Sequence, residues 1–379
     1  MPKSAIFTPN FIIKQILKKI MKPLKIGDMI ARLPIVQGGM GVGISLSGLA
    51  SAVANAGGIG VISSAGLGVI YRSYSNDYNV ASIHGMREEL RKARQATKGI
   101  IGVNVMVALS NFADMVRTSI EEGADIIFSG AGLPLNLPSF RPAGSKTKLA
   151  PIVSSGRAAK LLCNKWKEQY DVLPDAIVVE GPKAGGHLGY KAAQIEDPAF
   201  SLEAIVPEVV AEVKKFEEQY GVEIPVIAGG GVYTGEDIHK ILSLGASGVQ
   251  MGTRFVVTEE CDAAPEFKQT YIDATEQDVE IIQSPVGMPG RAIHNSVLDR
   301  VKEGLTKPKA CPFNCIKTCN VVDSPYCIML ALYNAYRGKM DQGYAFAGSN
   351  AWRSTKIMSV KELMTELSTE YEACVQAQA

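Results

Sequence analysis

His187 is the residue whose surroundings best suit chemistry. It lies in Ala184-Gly185-Gly186-His187-Leu188-Gly189, between glycines that give it little to pack against. An imidazole titrates near pH ~6.5, so it can take or give a proton around neutrality. A catalytic or substrate-orienting role competes here with an ordinary structural one. Of the other three histidines, His84 and His239 fall in stretches of helical pattern, where packing or solvation is the usual role. His294 has no chemical neighbour that singles it out. The second signal is glycine. Runs occur at Gly38-Gly39-Met40-Gly41-Val42-Gly43, Ser129-Gly130-Ala131-Gly132, Glu180-Gly181, Gly185-Gly186, Gly229-Gly230-Gly231 and Gly252-Thr253-Arg254. Glycine lets backbone N–H groups approach a ligand and permits positive φ. A single such run is often only a tight turn. Several at equivalent places imply a cradle.

The places are equivalent because each run ends a short apolar stretch rich in β-formers. These stretches are 34–37, 59–62, 101–105, 125–128, 150–153, 176–179, 225–228 and 248–251. Continuous rather than alternating apolar runs suit strands buried on both faces of a parallel sheet. Helical patterns separate them at 46–54, 86–96, 112–122, 157–168, 202–216 and 236–244, and Thr234 with Asp237 reads as a capping box for the last. Eight such units predict a (β/α)8 TIM barrel, with an open doubly wound sheet as the alternative. In a barrel the carboxyl ends of the strands carry the site, and phosphate commonly binds after strands seven and eight. Gly229, Gly230 and Gly231, with Met251, Gly252 and Thr253, occupy that position. No P-loop lysine motif, dinucleotide fingerprint, nucleophile elbow or His-Glu-x-x-His motif is present. The segment 133–148 reads as a long loop after strand four, of the kind that covers a site.

The segments Pro34-Ile35-Val36-Gln37-Gly38-Gly39-Met40, Gly102-Val103-Asn104, Ala184 to Gly189, Ile227 to Gly231 and Met251-Gly252-Thr253-Arg254-Phe255 together resemble the nitronate monooxygenase (2-nitropropane dioxygenase) family. That family includes flavin-dependent enoyl-acyl-carrier-protein reductases. The resemblance spans roughly residues 26–260 and implies a TIM barrel holding one FMN. By position it puts Gly38, Gly39 and Met40 on the flavin ring through backbone. Asn104 would bond the flavin or its ribityl chain, Glu180, Gly185 and Gly186 would line it, and His187 would stand beside the reactive face. Gly229, Gly230, Gly231, Gly252 and Thr253 would hold the phosphate. The implied activity is oxidation of alkyl nitronates with dioxygen to a carbonyl compound and nitrite. Reduction of an enoyl thioester or quinone by NAD(P)H is the alternative, and a non-catalytic flavin-binding barrel is a third. Homodimers are common in such a family.

The rest of the chain bounds the setting. Its 379 residues are 46% hydrophobic and 20% charged, with a net charge of +1. Disorder is excluded, and no global field would hold nucleic acid or an anionic membrane. No apolar run approaches the ~18 residues of a membrane span. Seven cysteines, an odd count, suit a reducing, cytoplasmic setting better than a disulfide scaffold. Residues 1–25 read as a basic amphipathic leader, 26–260 as the barrel and 261–379 as a mostly helical lid. In the lid, Cys311, Cys315 and Cys319 have the spacing of one helix face, with Cys327 beyond. Without a C-x2-C knuckle, they are expected to be free thiols near the flavin mouth or packing residues rather than metal ligands. Residues 345–351 are expected to close over the barrel, with Gln342, Tyr344 and Phe346 lining the pocket unless they merely pack. A last surface helix is expected over 359–371.

Overall fold

The structure is a computed structural model that describes residues 21–378. It begins with an antiparallel hairpin, β1 (Leu24–Ile26) and β2 (Met29–Ala31). The leader expected over 1–25 lies mostly outside the described residues, and β1 crosses its boundary. Eight parallel strands then close into a barrel: β3 (Ile35–Gln37), β4 (Ile59–Ser63), β5 (Ile100–Met106), β6 (Ile126–Gly130), β7 (Lys148–Val153), β8 (Ile177–Glu180), β10 (Val226–Gly229) and β11 (Gly248–Met251). The pair β9 (Gly186–His187) stands outside the barrel. Each strand lies where the sequence places one, and β11 lies back against β3 to complete the ring. The (β/α)8 architecture is therefore the one expected.

The strands form because their apolar runs are buried on both sides. Inward-facing Val36, Val61, Phe128 and Val178 fill the barrel with Leu24, Ile26 and Ala31 of the hairpin. Leu24 stands beside Gly248, the first residue of β11, so the hairpin plugs the amino-terminal end, opposite the glycine loops. Outside, Ser47–Asn55, Tyr78–Ala96, Phe112–Glu121, Gly156–Tyr170, Leu202–Tyr220 and Gly235–Ser243 alternate with the strands. Thr234 and Asp237 make the reciprocal capping box. After β11 only the four-residue helix Thr253–Val256 follows directly. The last place in the outer ring is filled from the far end of the chain. Val360–Ala377, capped by Ser359 and Glu362, packs between Gly235–Ser243 and Ser47–Asn55. Its Val360, Leu363, Met364 and Leu367 are buried, each worth about 1.5–3 kcal/mol on transfer from water.

The tail before that helix is not helical throughout. β12 (Val279–Gln283) and β13 (Pro289–Ile293) form a hairpin, and β13 pairs with β9. Cys311, Cys315 and Cys319 do not share a helix face, because the segment from Glu303 to Cys327 contains no helix. Pro312 has no N–H to give, and Asn314 sits at φ +43°, so helical spacing there is not realised. The segment instead runs along the loop after β5: Ser110 N–H donates to the Cys315 carbonyl at 3.1 Å and Lys317 N–H to Ala108 at 3.0 Å. Of the loop 133–148, only Leu133 reaches the central cavity. Arg141 turns instead to Asp175, at 2.9 Å. No helix among the described residues is long and apolar enough to cross a membrane.

Candidate active site

A cavity of about 480 Å³ opens at the carboxyl ends of the barrel strands. That lies within the roughly 300–1,000 Å³ typical of cofactor and ligand sites. The structure brings His187, Gly38, Gly39, Met40, Asn104, Glu180, Gly185, Gly186, Gly230, Gly231, Met251, Gly252 and Thr253 to its wall. Gly229 is the exception. It is buried as the last residue of β10, and its carbonyl accepts the Gly181 N–H at 2.8 Å, so it ties two loops together behind the wall.

The floor is backbone. Gly230 and Gly231 have φ of +103° and +97°, and a Cβ on Gly230 would stand 2.7 Å from the Gly181 carbonyl oxygen, so no other residue fits the turn. The turn leaves Gly230 and Gly231 facing Gly252 and Thr253 across one end of the cavity. Residues from the tail complete that end. Asn350 Nδ2 donates to the Gly231 carbonyl at 2.7 Å, Ser349 N–H donates to Lys183 at 3.1 Å, and Gly348 lies against Thr253. Lys183 also lines the cavity. Backbone amides of the glycine turn and the Thr253 hydroxyl in one cradle are the kind of donors that a phosphate ester requires. Met40, Asn104 and the loops of β3 and β8 border the same cavity beside the glycine turn. The residues present therefore suit FMN.

His187 and Glu180 supply the titratable groups. His187 Nε2 is 2.7 Å from Ser284 Oγ, and the Phe346 ring meets the imidazole edge-on at 5.1 Å between centroids. Burial depresses the His187 pKa to about 4, so the ring is neutral at pH 7. Burial has the opposite effect on Glu180, raising its carboxyl to about 7, so it keeps a proton well above the usual carboxylate range. The loop that carries both groups is held from the tail. β13 pairs Arg291 with Gly186 and Gly290 with His187. The Arg291 guanidinium, only 4% exposed, donates to the carbonyls of Pro182 at 2.6 Å and Ala184 at 2.8 Å. These charge-assisted bonds fix the loop backbone on either side of Lys183.

One stretch of the remaining wall is apolar: Met106, Leu109, Ile316, Ile328, Met329 and Leu332. Four of these come from the tail. Phe346 lines the cavity as the sequence suggests, but Gln342 is exposed. Tyr344 is buried elsewhere, with its hydroxyl 2.8 Å from that of Tyr326. Arg254, part of the Gly-Thr-Arg motif, points away from the phosphate end to Glu366 at 2.6 Å and the Tyr233 carbonyl at 3.1 Å, locking the last helix to the barrel. Sequence reasoning did not single out Ser284, Arg291, Lys183, Ser349 or Asn350. Lys183 stands between the Glu180-Gly181 and Gly185-Gly186 runs and Asn350 inside the closing segment, whereas nothing local marks Ser284 or Arg291.

Comparison with known proteins agrees with this geometry. The family model described as nitronate monooxygenase matches residues 22–370. A probable nitronate monooxygenase of Bacillus subtilis is 25% identical over 366 residues, covering 89% of this chain and 95% of its own. A dehydrogenase of Mycobacterium tuberculosis, named for (3aS,4S,5R,7aS)-5-hydroxy-7a-methyl-1-oxo-octahydro-1H-indene-4-carboxyl-CoA, is 27% identical over 272 residues. That match takes in 72% of this chain and 66% of the relative's length. Among solved structures, nitroalkane oxidase from Streptomyces ansochromogenes has a TM-score of 0.70 at 20% identity, covering 92% of this chain and 98% of its own. FabK from Thermotoga maritima has a TM-score of 0.68 at 24% identity, covering 91% and 94%. With an amide-lined cradle at the strand ends and a family match over nearly the whole length, the chain belongs to the nitronate monooxygenase family of FMN-dependent oxidoreductases.

Proposed function

We propose that the protein oxidises alkyl nitronates, with dioxygen as the oxidant, to a carbonyl compound and nitrite. The observation that carries this reading is His187, a neutral imidazole oriented by Ser284 at the edge of a cradle with apolar walls. FMN, when bound, supplies the electron-accepting centre. The chain's part is to bind, orient and exclude water.

With the Ser284 hydroxyl donating to Nε2, the imidazole proton rests on Nδ1, and that N–H is free to donate to a nitro oxygen. A base whose conjugate acid titrates near 4 abstracts a carbon-bound proton poorly. The site therefore suits the preformed nitronate anion better than the neutral nitroalkane. The alkyl group lies against Met106, Leu109, Ile328 and Met329, and their burial of it sets chain-length preference. Glu180, its carboxyl raised to about 7, presents below that pH an O–H donor rather than a second negative charge to an anionic substrate. The Bacillus subtilis relative's name supports the same reading.

A second reading is NAD(P)H-dependent reduction of an enoyl thioester or quinone. It is favoured by the extended apolar wall and by the carboxyl-CoA named for the Mycobacterium tuberculosis relative. The variant His187→Ala tests the first reading: it should keep its FMN and lose nitronate turnover. Unchanged kcat/KM in that variant would remove His187 from the account.

A further inference from the structure

Strand alternation fixes where the Glu180 side chain goes. Val178 and Ala176, two and four positions earlier, belong to the group that fills the barrel interior, whereas Ile177 and Val179 pack into the outer core. Residues two apart on a strand share a face, so Glu180 points into the barrel at its carboxyl end, where the cavity opens. Its backbone is held there by pairing with Gly229 of β10 and by the Tyr190 hydroxyl, which donates to the Glu180 carbonyl at 2.6 Å.

Ser63, Asn104 and Gln250 line the same cavity from β4, β5 and β11 with neutral polar side chains, and Glu180 is the one acidic residue in that lining. Among the described residues its carboxyl has no hydrogen-bond or ion-pair partner; burial alone acts on it. The ionisable groups around it do not compensate it. Neither β7 nor β10, the strands on either side, brings an ionisable side chain to this end. Tyr190 is kept protonated by burial, and Glu208, on the helix Leu202–Tyr220, accepts the Gly156 N–H at 2.9 Å. On the loop that follows Glu180, the Lys183 stem lies across Gly231, and His187 is neutral with Nε2 on Ser284.

A flavin ring that has taken two electrons and one proton carries one negative charge more than the oxidised ring. Beside an ionised carboxyl in a low-dielectric site that charge is repelled, and one of two like charges sharing a site takes up a proton. We propose that Glu180 takes up one proton for every two electrons the bound flavin accepts, so that the reduced cofactor and a neutral carboxylic acid occupy the cavity together. The electrons come from the donor that the flavin oxidises. One proton goes to the ring, the other passes from solvent to a Glu180 carboxylate oxygen, and the net charge of the cavity does not change. The carboxyl is poised for this because burial already brings it to the edge of ionisation near neutrality. The inference concerns the cofactor and holds for either electron donor, so it stands apart from the choice of substrate.

The test is the midpoint potential of the full-length yellow protein and of Glu180→Gln, measured anaerobically with dithionite and indicator dyes from pH 6 to pH 8.5. An extra proton per two electrons changes the reduction equilibrium tenfold per pH unit, which is about 30 mV for a two-electron couple. Above pH 7 the wild-type potential should therefore fall more steeply than that of Glu180→Gln, by about 30 mV per pH unit. The two should draw together near pH 6, where both side chains are neutral. Glu180→Gln keeps the shape and removes the titration, and its FMN content and melting temperature report whether the site survives. Parallel lines over the whole range, with or without a constant offset, would overturn the proposal. If Glu180→Gln does not retain FMN, the wild type decides alone. A slope of about 60 mV per pH unit from pH 7 to pH 8.5 supports the second proton, and about 30 mV leaves none for Glu180 and overturns the proposal.

Discussion

Removing the Ser284 hydroxyl tests the side-chain hydrogen bond made by the His187 imidazole. Ser284 is 3% exposed, its Oγ is 2.7 Å from Nε2, and its own N–H donates to the Met288 carbonyl at 3.0 Å. That backbone bond persists in Ser284→Ala, which removes the Oγ contact to His187 together with the long bond Oγ accepts from Val286 N–H at 3.4 Å. The lost hydrogen bond is worth about 0.5–1.5 kcal/mol net, and leaving a buried ring nitrogen without a partner raises the cost toward about 2 kcal/mol. If that difference is expressed in the transition state, kcat/KM falls roughly 3- to 30-fold. FMN content should not change, since Ser284 is absent from the cavity lining. The decisive assay is a double-mutant cycle on kcat/KM with a nitronate substrate, read from the residual turnover of His187→Ala at high enzyme concentration: Ser284→Ala should cost several-fold in the wild type and almost nothing in the His187→Ala background. An equal loss in both backgrounds would show that Ser284 does not act through the imidazole.

Three further outcomes follow from the same geometry. Gly348→Ala places a Cβ 2.6 Å from Thr253 Oγ1, so FMN affinity, measured by fluorescence titration of the apoprotein, should fall about tenfold or more for ~1.4 kcal/mol of displaced cradle. Glu180 should make the apoprotein less stable as pH rises. Its folded-state pKa is about 7 against an ordinary 4.5, so the folded chain holds the proton longer, and up to about 3 kcal/mol is lost between pH 5 and pH 8. Thermal melts of Glu180→Gln should lack that part of the loss, and identical pH slopes in the two proteins would contradict it. Arg291→Met removes both bonds to Pro182 and Ala184, and amide exchange over residues 181–189 should accelerate before global stability changes.

The barrel was legible because its strands are buried on both faces, which writes them as uninterrupted apolar runs such as Ile59–Ser63 and Ile177–Glu180. The flavin face was legible because backbone must approach a ligand there, and glycine marks each approach. The tail's contribution was not. Ser284 stands 97 positions from His187, and β13 meets β9 across a similar gap, so no local period reports the contact. The cysteine spacing misled in the opposite direction: four-residue intervals suggest one helix face, but Pro312 and the left-handed Asn314 turn the chain instead. Gly229 shows the limit of reading residues in runs. As the end of a strand it serves the sheet, while its two neighbours line the cavity.

The choice of electron donor tests the account most directly. The yellow protein is mixed anaerobically with an alkyl nitronate, and separately with NADH and with NADPH, while the oxidised-flavin band is followed in a stopped-flow instrument. The account predicts rapid bleaching by the nitronate, slow or no bleaching by either nicotinamide, and loss of the fast phase in His187→Ala. Rapid bleaching by NADH or NADPH with none by the nitronate would contradict it and make the protein a reductase.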